Sequence, residues 1–397
     1  MSERIIVEQE QFNELCDHIR DVGVVAFDTE FVSENSFRPL LCLLQFATPD
    51  HSALVDPFQI PDLNPWWDLM CDEHTTVIVH GGQAEVRFCL WATENAPRKL
   101  IDVQLAEGLR SRSYPLSYSN LVGRVLGTSV HGNETRTDWR HRPLSDRQIR
   151  YAAEDTDHLI EIWTRQQADL KKLGRQHWAE AEFERYVTSL KADVAEESWQ
   201  RLPGLHKLSR RGLTIAIELG RWREQEAEKR DRLIRRVLRD DLLLDIARRK
   251  PASLKELLAT RDMNRGEYRK SADEMLECVK RAMDRSESEL PQRIPAGIND
   301  HQQDEQVLGK LLGLALANRC AEMNVALQLV GTAADLRQLV RCHLKKVPES
   351  DSPRLTRGWR AELCGDLLTE VLDGNVSIRV ADLRSEHPLA FDRRDSN

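Results

Sequence analysis

Val24-Val25-Ala26-Phe27-Asp28-Thr29-Glu30-Phe31 is an apolar, β-branched run that delivers two carboxylates at its end. Residues two apart on a strand point to the same side, so Asp28 and Glu30 are forced together. Two carboxylates that close repel unless a proton or a cation lies between them. A hard divalent cation such as Mg²⁺ or Mn²⁺ suits oxygen ligands. An isolated Asp-x-Glu pair is also read as two solvated acids at a strand end, so the rest of the chain has to decide.

The chain has 397 residues, enough for two or three domains. Its 41% hydrophobic and 31% charged content describes a soluble globular protein. No run of about 18 apolar residues occurs, so no membrane span is expected. The polar start, Met1-Ser2-Glu3-Arg4, lacks the apolar core of a signal peptide. Eight cysteines are scattered without a Cys-x-x-Cys pair, which argues against structural zinc and a disulfide framework. Reduced thiols in a cytoplasmic protein are the expectation.

The net charge of −8 is uneven. Residues 1–200 carry 20 Lys and Arg against 33 Asp and Glu; residues 201–300 carry 24 against 18. Acid clusters bind cations and a basic module binds phosphate. Both regions also read as ordinary solvated surfaces.

Strands are expected at 22–27, 40–47, 52–55 and 75–80, and helices at 84–92, 103–110, 117–126 and 146–173. Three early strands followed by alternation predict a mixed sheet with helices on its faces. Beyond Arg175 strand signals vanish. Helices are expected at 178–202, 207–230, 241–249, 253–258 and 265–283, then at 303–322, 332–344 and 359–372. The stretch around Pro291, Pro295 and Gly297 reads as a linker, and the charged tail from Phe391 as disordered.

Two further clusters bear on Asp28 and Glu30. In Val77-Ile78-Val79-His80-Gly81-Gly82-Gln83-Ala84-Glu85 a strand ends, glycines turn the chain and an acid opens a helix. Glu85 also reads as simple favourable charge at a helix N-terminus. In Tyr151-Ala152-Ala153-Glu154-Asp155, Tyr151 and Asp155 share one helix face. Asp155 suits metal ligation, and Tyr151 suits orientation of a water rather than base chemistry, since its pKa lies near 10. A two-metal nuclease needs about four carboxylates converging from separate elements.

In order and spacing the three clusters resemble the DEDD superfamily of 3′–5′ exonucleases, in its tyrosine subclass, and most specifically the ribonuclease D family. Leu41-Cys42-Leu43-Leu44-Gln45-Phe46 resembles that family's second strand. Thr135-Arg136-Thr137-Asp138-Trp139, Arg142-Pro143-Leu144 and Gln148 lead into Tyr151 as in that family, forming a wall beside its active site. The resemblance implies a ribonuclease H-like mixed sheet flanked by helices. It implies Asp28, Glu30 and Asp155, with Glu85 at the middle position, as ligands of two divalent ions, Mg²⁺ or Mn²⁺, and Tyr151 as the residue that positions the water. The family's middle motif has Asp five residues after the histidine matching His80. Here that residue is Glu85, one methylene and one torsion longer, which bears on activity and on Mg²⁺ against Mn²⁺. His80 is expected to be structural and Trp139 a packing residue.

Ile217-Glu218-Leu219-Gly220-Arg221-Trp222-Arg223-Glu224, Arg230-Asp231-Arg232, Val237-Leu238, Leu242 to Pro251 and Leu254 to Leu258 resemble the HRDC domain, a helical bundle. That places Trp222 in a core and makes Arg232, Arg235, Arg236, Arg248, Arg249 and Lys250 candidates for phosphate contact. A protein-interaction bundle is the competing reading. The expected organisation is an α/β exonuclease domain over 1–200, an HRDC domain over 205–288, a linker over 289–299, a second all-α HRDC-like bundle over 300–390 and a tail over 391–397. The expected activity is metal-dependent 3′–5′ exoribonuclease action that releases 5′-mononucleotides, with tRNA precursors as RNA partners, on a monomer free of membrane. The rivals are a DNA 3′–5′ exonuclease and a nucleic-acid-binding protein silenced at Glu85.

Overall fold

The computed structural model describes residues 5–130, 137–294, 303–345 and 353–393. Its elements begin β1 (Ile5–Ile6), α1 (Gln9–Val22), β2 (Val24–Val32), β3 (Leu40–Ala47), β4 (Ser52–Val55), α2 (Asn64–Met70), β5 (Thr76–Val79), α3 (Gln83–Thr93) and β6 (Leu100–Asp102). They continue through α4 (Val103–Arg110), α5 (Tyr118–Leu126), α6 (Asp146–Asp157), α7 (Leu159–Lys172) and α8 (Gln176–Ala195). The six strands form one sheet in the order β1-β4-β3-β2-β5-β6, with β2, β5 and β6 parallel and β3 antiparallel to β4.

The apolar face of α1 buries Phe12, Leu15, Cys16 and Ile19. Gly23 ends that helix at φ 73°, a left-handed cap that turns the chain into β2. The side chains of β2 then alternate. Phe27 packs on Phe46 and Trp66, with ring centroids 5.1 and 4.6 Å apart. On the opposite face Ala26 joins Ala47, Ile78, Val103, Leu121 and Ile162. Full burial of such side chains contributes roughly 1.5–3 kcal/mol each. Alternation puts Asp28 and Glu30 on the Ala26 face, which is also the face of Gln45.

The chain divides into two compact units. One comprises the described residues of Met1–Glu30, Leu41–Lys191 and Asp300–Asn397; the other comprises those of Phe31–Leu40 and Ala192–Asn299. The second is all helical after its first segment: α9 (Arg210–Lys229), α10 (Ile234–Val237), α11 (Asp240–Arg249), α12 (Leu254–Leu258), α13 (Gly266–Lys270) and α14 (Ala272–Asp284). Leu213, Leu219, Leu243, Ile246, Met275 and Val279 form its core. Trp222 packs there as expected, and its indole N–H donates to Glu274 at 2.9 Å. Arg223 is equally buried and donates to Asp240 at 2.7 Å, so it is a core residue.

The C-terminal segment carries α15 (Gln303–Glu322), α16 (Leu327–Val330), α17 (Ala333–Lys345), α18 (Gly358–Cys364), α19 (Leu367–Leu372), β7 (Val376–Val380) and β8 (Leu389–Arg393). The antiparallel hairpin of β7 and β8 corrects the expectation of an all-α second bundle. It also places Phe391 to Arg393 in a strand rather than in a disordered tail. This segment shares a core with α4 and α8. Trp178 stacks on Trp359 at 5.4 Å, and the amide of Ala326 donates to the carbonyl of Gly108 at 2.8 Å. A Cβ at Gly108 would meet the Tyr114 Cβ at 2.9 Å and the Leu329 side chain at 2.5 Å, so this close approach favours glycine.

Other expectations shift in detail. β2 runs on through Val32, so the two acids lie inside the strand and not at its end. The expected helix 146–173 breaks at His158 into α6 and α7, and 359–372 breaks at Gly365, φ 53°. Thr135 and Arg136, residues 295–299 of the expected linker and 394–397 of the tail lie outside the described residues.

Glu182 on α8 is fully buried. It accepts from Arg360 at 2.8 Å, Trp359 at 3.2 Å and Arg185 at 2.6 Å. Removing the acid strands the buried Arg360 guanidinium, a loss of about 3–5 kcal/mol. Urea titration of Glu182→Ala is expected to show that loss at neutral pH, against a much smaller one for the exposed Glu161→Ala.

Candidate active site

Four carboxylates arrive from three directions. β2 presents Asp28 and Glu30, α3 presents Glu85 and α6 presents Asp155. Asp28 accepts the amide N–H of Thr29 at 2.9 Å, and Thr29 donates its hydroxyl to Glu85 at 2.5 Å. Tyr151 donates to Asp155, one helical turn away.

The electrostatics mark one cluster. Burial raises the Asp28 carboxyl well above the usual carboxylate range, with Glu85, Asp155 and Glu30 adding to it in that order. Burial lifts Glu30 to about 8, again helped by Asp155 and Glu85. Burial also lifts Glu85 and Asp155 to about 7, against hydrogen bonds from Thr29 and Tyr151 that favour their anions. The Tyr151 phenol is pushed above its ordinary value by burial and by Asp155 and Glu30. It therefore stays protonated at neutral pH and acts as a hydrogen-bonding group.

Each acid is held from behind. At the turn from β5 to α3, Gly81 has φ 69°, and a Cβ on Gly82 would meet Val79 at 2.4 Å. Asp102, at the end of β6, accepts the Gly81 and Gly82 amides at 3.0 and 3.2 Å, and that of Gln104 at 2.9 Å. One buried carboxylate thus caps α4 and fixes the turn that launches Glu85. His80 Nε2 donates to the Leu116 carbonyl at 2.9 Å, and burial lowers its pKa, so it is a neutral structural ring. A capping box of Ser145 and Gln148 starts α6. The Tyr118 hydroxyl then donates to the Glu154 carbonyl at 2.7 Å and steadies the turn between Tyr151 and Asp155. Trp139 is buried 6.2 Å from the Tyr151 ring. Arg142 ties that segment down through Asp56 at 2.6 Å and the Cys42 carbonyl at 2.6 Å.

Asp102 and Tyr118 escaped sequence reasoning. Asp102 had a signal, an acid just before a helix and after a short apolar run, but its second task depends on a turn twenty residues away. Gln45 was read only as strand. It is fully buried on the acids' face, and neither amide atom has a partner among the described residues.

Among the described residues no three His, Cys, Asp or Glu side chains already hold the spacing of an assembled metal site. The carboxylates are gathered but not closed, and Glu85 is turned onto Thr29. The donor set nonetheless fits a hard cation: oxygen ligands, mutual repulsion and an orphaned amide nearby.

The candidate phosphate-binding residues fall into separate groups on the helical unit. Arg232 and Arg236 line a cavity of about 310 Å³ with Arg230 and Lys270. Arg235 and Arg248 line another with Arg239 and Asp240. Arg249 is paired with Asp245 at 3.0 Å, and Lys250 ends α11 at φ 54°.

A family model described as a 3′–5′ exonuclease matches residues 4–171, and one described as an HRDC domain matches residues 213–279. Ribonuclease D of Nitrobacter hamburgensis is 30% identical over 95% of this chain and 97% of its own length. Ribonuclease D of Escherichia coli is 28% identical over 94% and 99%. The crystal structure of Escherichia coli RNase D superposes with a TM-score of 0.79 at 27% identity, covering 94% of this chain and 99% of that one. Fold, acid cluster and matches define a 3′–5′ exonuclease carrying an HRDC domain. More narrowly, the chain belongs to the ribonuclease D family of exoribonucleases. The HRDC match covers one bundle.

The raised carboxyls have a consequence for stability. Their unfolded values lie near 4, so the folded state holds protons that the unfolded chain releases. Stability from these groups is full below about pH 4 and declines as pH rises through about 7–8. Without divalent cation, thermal melts are expected to drop between pH 6 and pH 8.5. Asp28→Asn is expected to raise the midpoint at pH 8 and to shrink that drop.

Proposed function

We propose that this chain removes 5′-mononucleotides one at a time from RNA 3′ ends by hydrolysing the terminal phosphodiester. The convergence of Asp28, Glu30, Glu85 and Asp155 beside Tyr151 carries this reading. These four acids would hold two divalent ions, Mg²⁺ or Mn²⁺, which when bound supply an acidified water nucleophile and stabilise the leaving 3′-oxygen. Tyr151, kept protonated, hydrogen-bonds and orients the attacking water. Thr29 restrains the longer Glu85 side chain, and Asp102 fixes the helix that bears it. Misplacement of about 1 Å costs on the order of 10²-fold in rate, so these restraints matter.

The RNA choice rests on family membership. The Escherichia coli RNase D is an exoribonuclease involved in structured RNA processing, which supports structured RNAs such as tRNA precursors as substrates here. The exonuclease and HRDC domains are proposed to work on a monomer in the cytoplasm. Among the described residues no helix is long and apolar enough to cross a membrane. The basic cavity of Arg230, Arg232, Arg236 and Lys270 supports phosphate contact, which positions RNA without reading its sequence.

A 5′-labelled RNA with a single-stranded 3′ end is expected to shorten as a ladder in Mg²⁺ or Mn²⁺. It is expected to stay intact in chelator and with Asp155→Asn, and the matching DNA to be cut far more slowly. Glu85→Asp distinguishes an adapted pocket, where turnover falls about 10-fold or more, from a handicapped one, where it rises. RNA bound but uncut in every metal would favour the silent binding protein.

Combining Arg232→Ala, Arg236→Ala and Lys270→Ala is expected to weaken RNA binding for all sequences alike. The slope of log affinity against log salt should fall by about 0.7 for each lost phosphate contact. Fluorescence anisotropy at several salt concentrations measures it.

A further inference from the structure

Cys71 and Cys89 stand apart from the other six cysteines. All eight are free thiols, but these two have their sulfurs 3.6 Å apart. The Thr93 hydroxyl lies 3.5 Å from the Cys71 sulfur. Cys89 is fully buried in α3, one helical turn beyond Glu85. Cys71 caps the end of α2, is half-buried, and opens onto a cavity of about 1030 Å³ that Asn95, Arg98, Trp163 and Phe183 also line. One thiol of the pair is therefore reachable from solvent, and the other lies directly behind it.

The two thiols are also electronically unequal. Hydrogen bonds from Cys89 and Thr93, aided by the charge of Arg98, lower the Cys71 thiol against the opposing effects of partial burial and Asp68. Cys89 is pushed up, as expected of the partner that keeps its proton. Burial pushes Cys16 and Cys320 up to about 12 and Cys364 to about 11. A partly accessible thiol of lowered pKa beside a second thiol is the arrangement that makes cysteine oxidation selective.

We propose that Cys71 and Cys89 form a peroxide-reactive thiol pair, with Cys71 as the attacking sulfur and Cys89 as the resolving one. The Cys71 thiolate attacks one oxygen of hydrogen peroxide. The O–O bond breaks, hydroxide leaves, and Cys71 becomes a sulfenic acid. The Cys89 sulfur then attacks the Cys71 sulfur. Its proton joins the departing hydroxyl, water leaves, and the S–S bond forms. In sum two thiols lose two electrons and two protons, and one peroxide becomes two waters. The sulfurs must close to about 2.05 Å. Cys71 sits at a helix end, where its amide is shared among the carbonyls of Trp67, Asp68 and Leu69, so the closing movement falls there rather than in α3. Thiol reductants reverse the reaction.

The test treats the reduced full-length protein with hydrogen peroxide at pH 7, quenches with an alkylating reagent, and maps the peptides by mass spectrometry. The expected product carries a Cys71–Cys89 cross-linked peptide about 2 Da lighter than the sum of its two thiol peptides, with the other six cysteines alkylated. In Cys89→Ser the Cys71 sulfenic acid should accumulate and be captured by a cyclic diketone probe. Cys342, half-buried and without a cysteine neighbour at sulfur contact among the described residues, serves as the internal comparison. The proposal is overturned if Cys71 and Cys89 stay alkylatable in the wild type, or if Cys342 oxidises at the same rate or faster. A cross-link joining any other pair also overturns it.

Discussion

Confining four carboxylates to one buried cluster is the constraint on which the α/β part of this molecule depends. Each acid suffers from its own desolvation and from its neighbours' charge, so Glu30 titrates near 8 and Glu85 and Asp155 near 7. No polypeptide gathers such groups spontaneously. They are placed by elements whose own stability comes from elsewhere: a strand clamped between two apolar faces, a glycine turn pinned by Asp102, and a helix started by a capping box. Stability is given up at the site to keep these four acids together, the pattern expected of a functional cluster.

Glu85, where the resemblance to the family implies an aspartate, is restrained within that cluster. A longer side chain offers more reach and more freedom, and the freedom is the harmful part. Thr29, between the two strand acids, takes up one Glu85 oxygen. The bond holds the carboxylate inside the cluster while leaving it a single hydroxyl away from release. Tyr151 does the same for Asp155, so on both sides a hydroxyl engages the acid.

Much of this was legible in the chain itself. β3, β4 and α4 fall on the residues their patterns indicate, because β-branched runs and helical periodicity there agree with the tertiary environment. The acids stood out by spacing as candidates, and their joint role was implied only by the resemblance to the exonuclease family. The extent of β2 was not, since Asp28-Thr29-Glu30 reads as a polar break although Phe31 and Val32 carry the strand onward. The break at His158 hid inside unbroken helical periodicity. β6, only three residues long, lacks the length that would announce it. β7 does alternate, Val376-Ser377-Ile378-Arg379-Val380, but it follows the helical patterns of the C-terminal segment and its strand signal was overlooked there. The double task of Asp102 and the contact of Thr29 with Glu85 join residues twenty and fifty-six positions apart, which no local pattern encodes.

The most direct measurement is the crystal structure of the protein soaked in Mn²⁺, with anomalous scattering used to locate the metal. The expected result is Mn²⁺ between Asp28, Glu30 and Asp155, with Glu85 swung off the Thr29 hydroxyl to share in its coordination. Clean maps with no anomalous peak among these acids at saturating Mn²⁺, or with Glu85 still bonded to Thr29 beside a bound metal, would contradict the account.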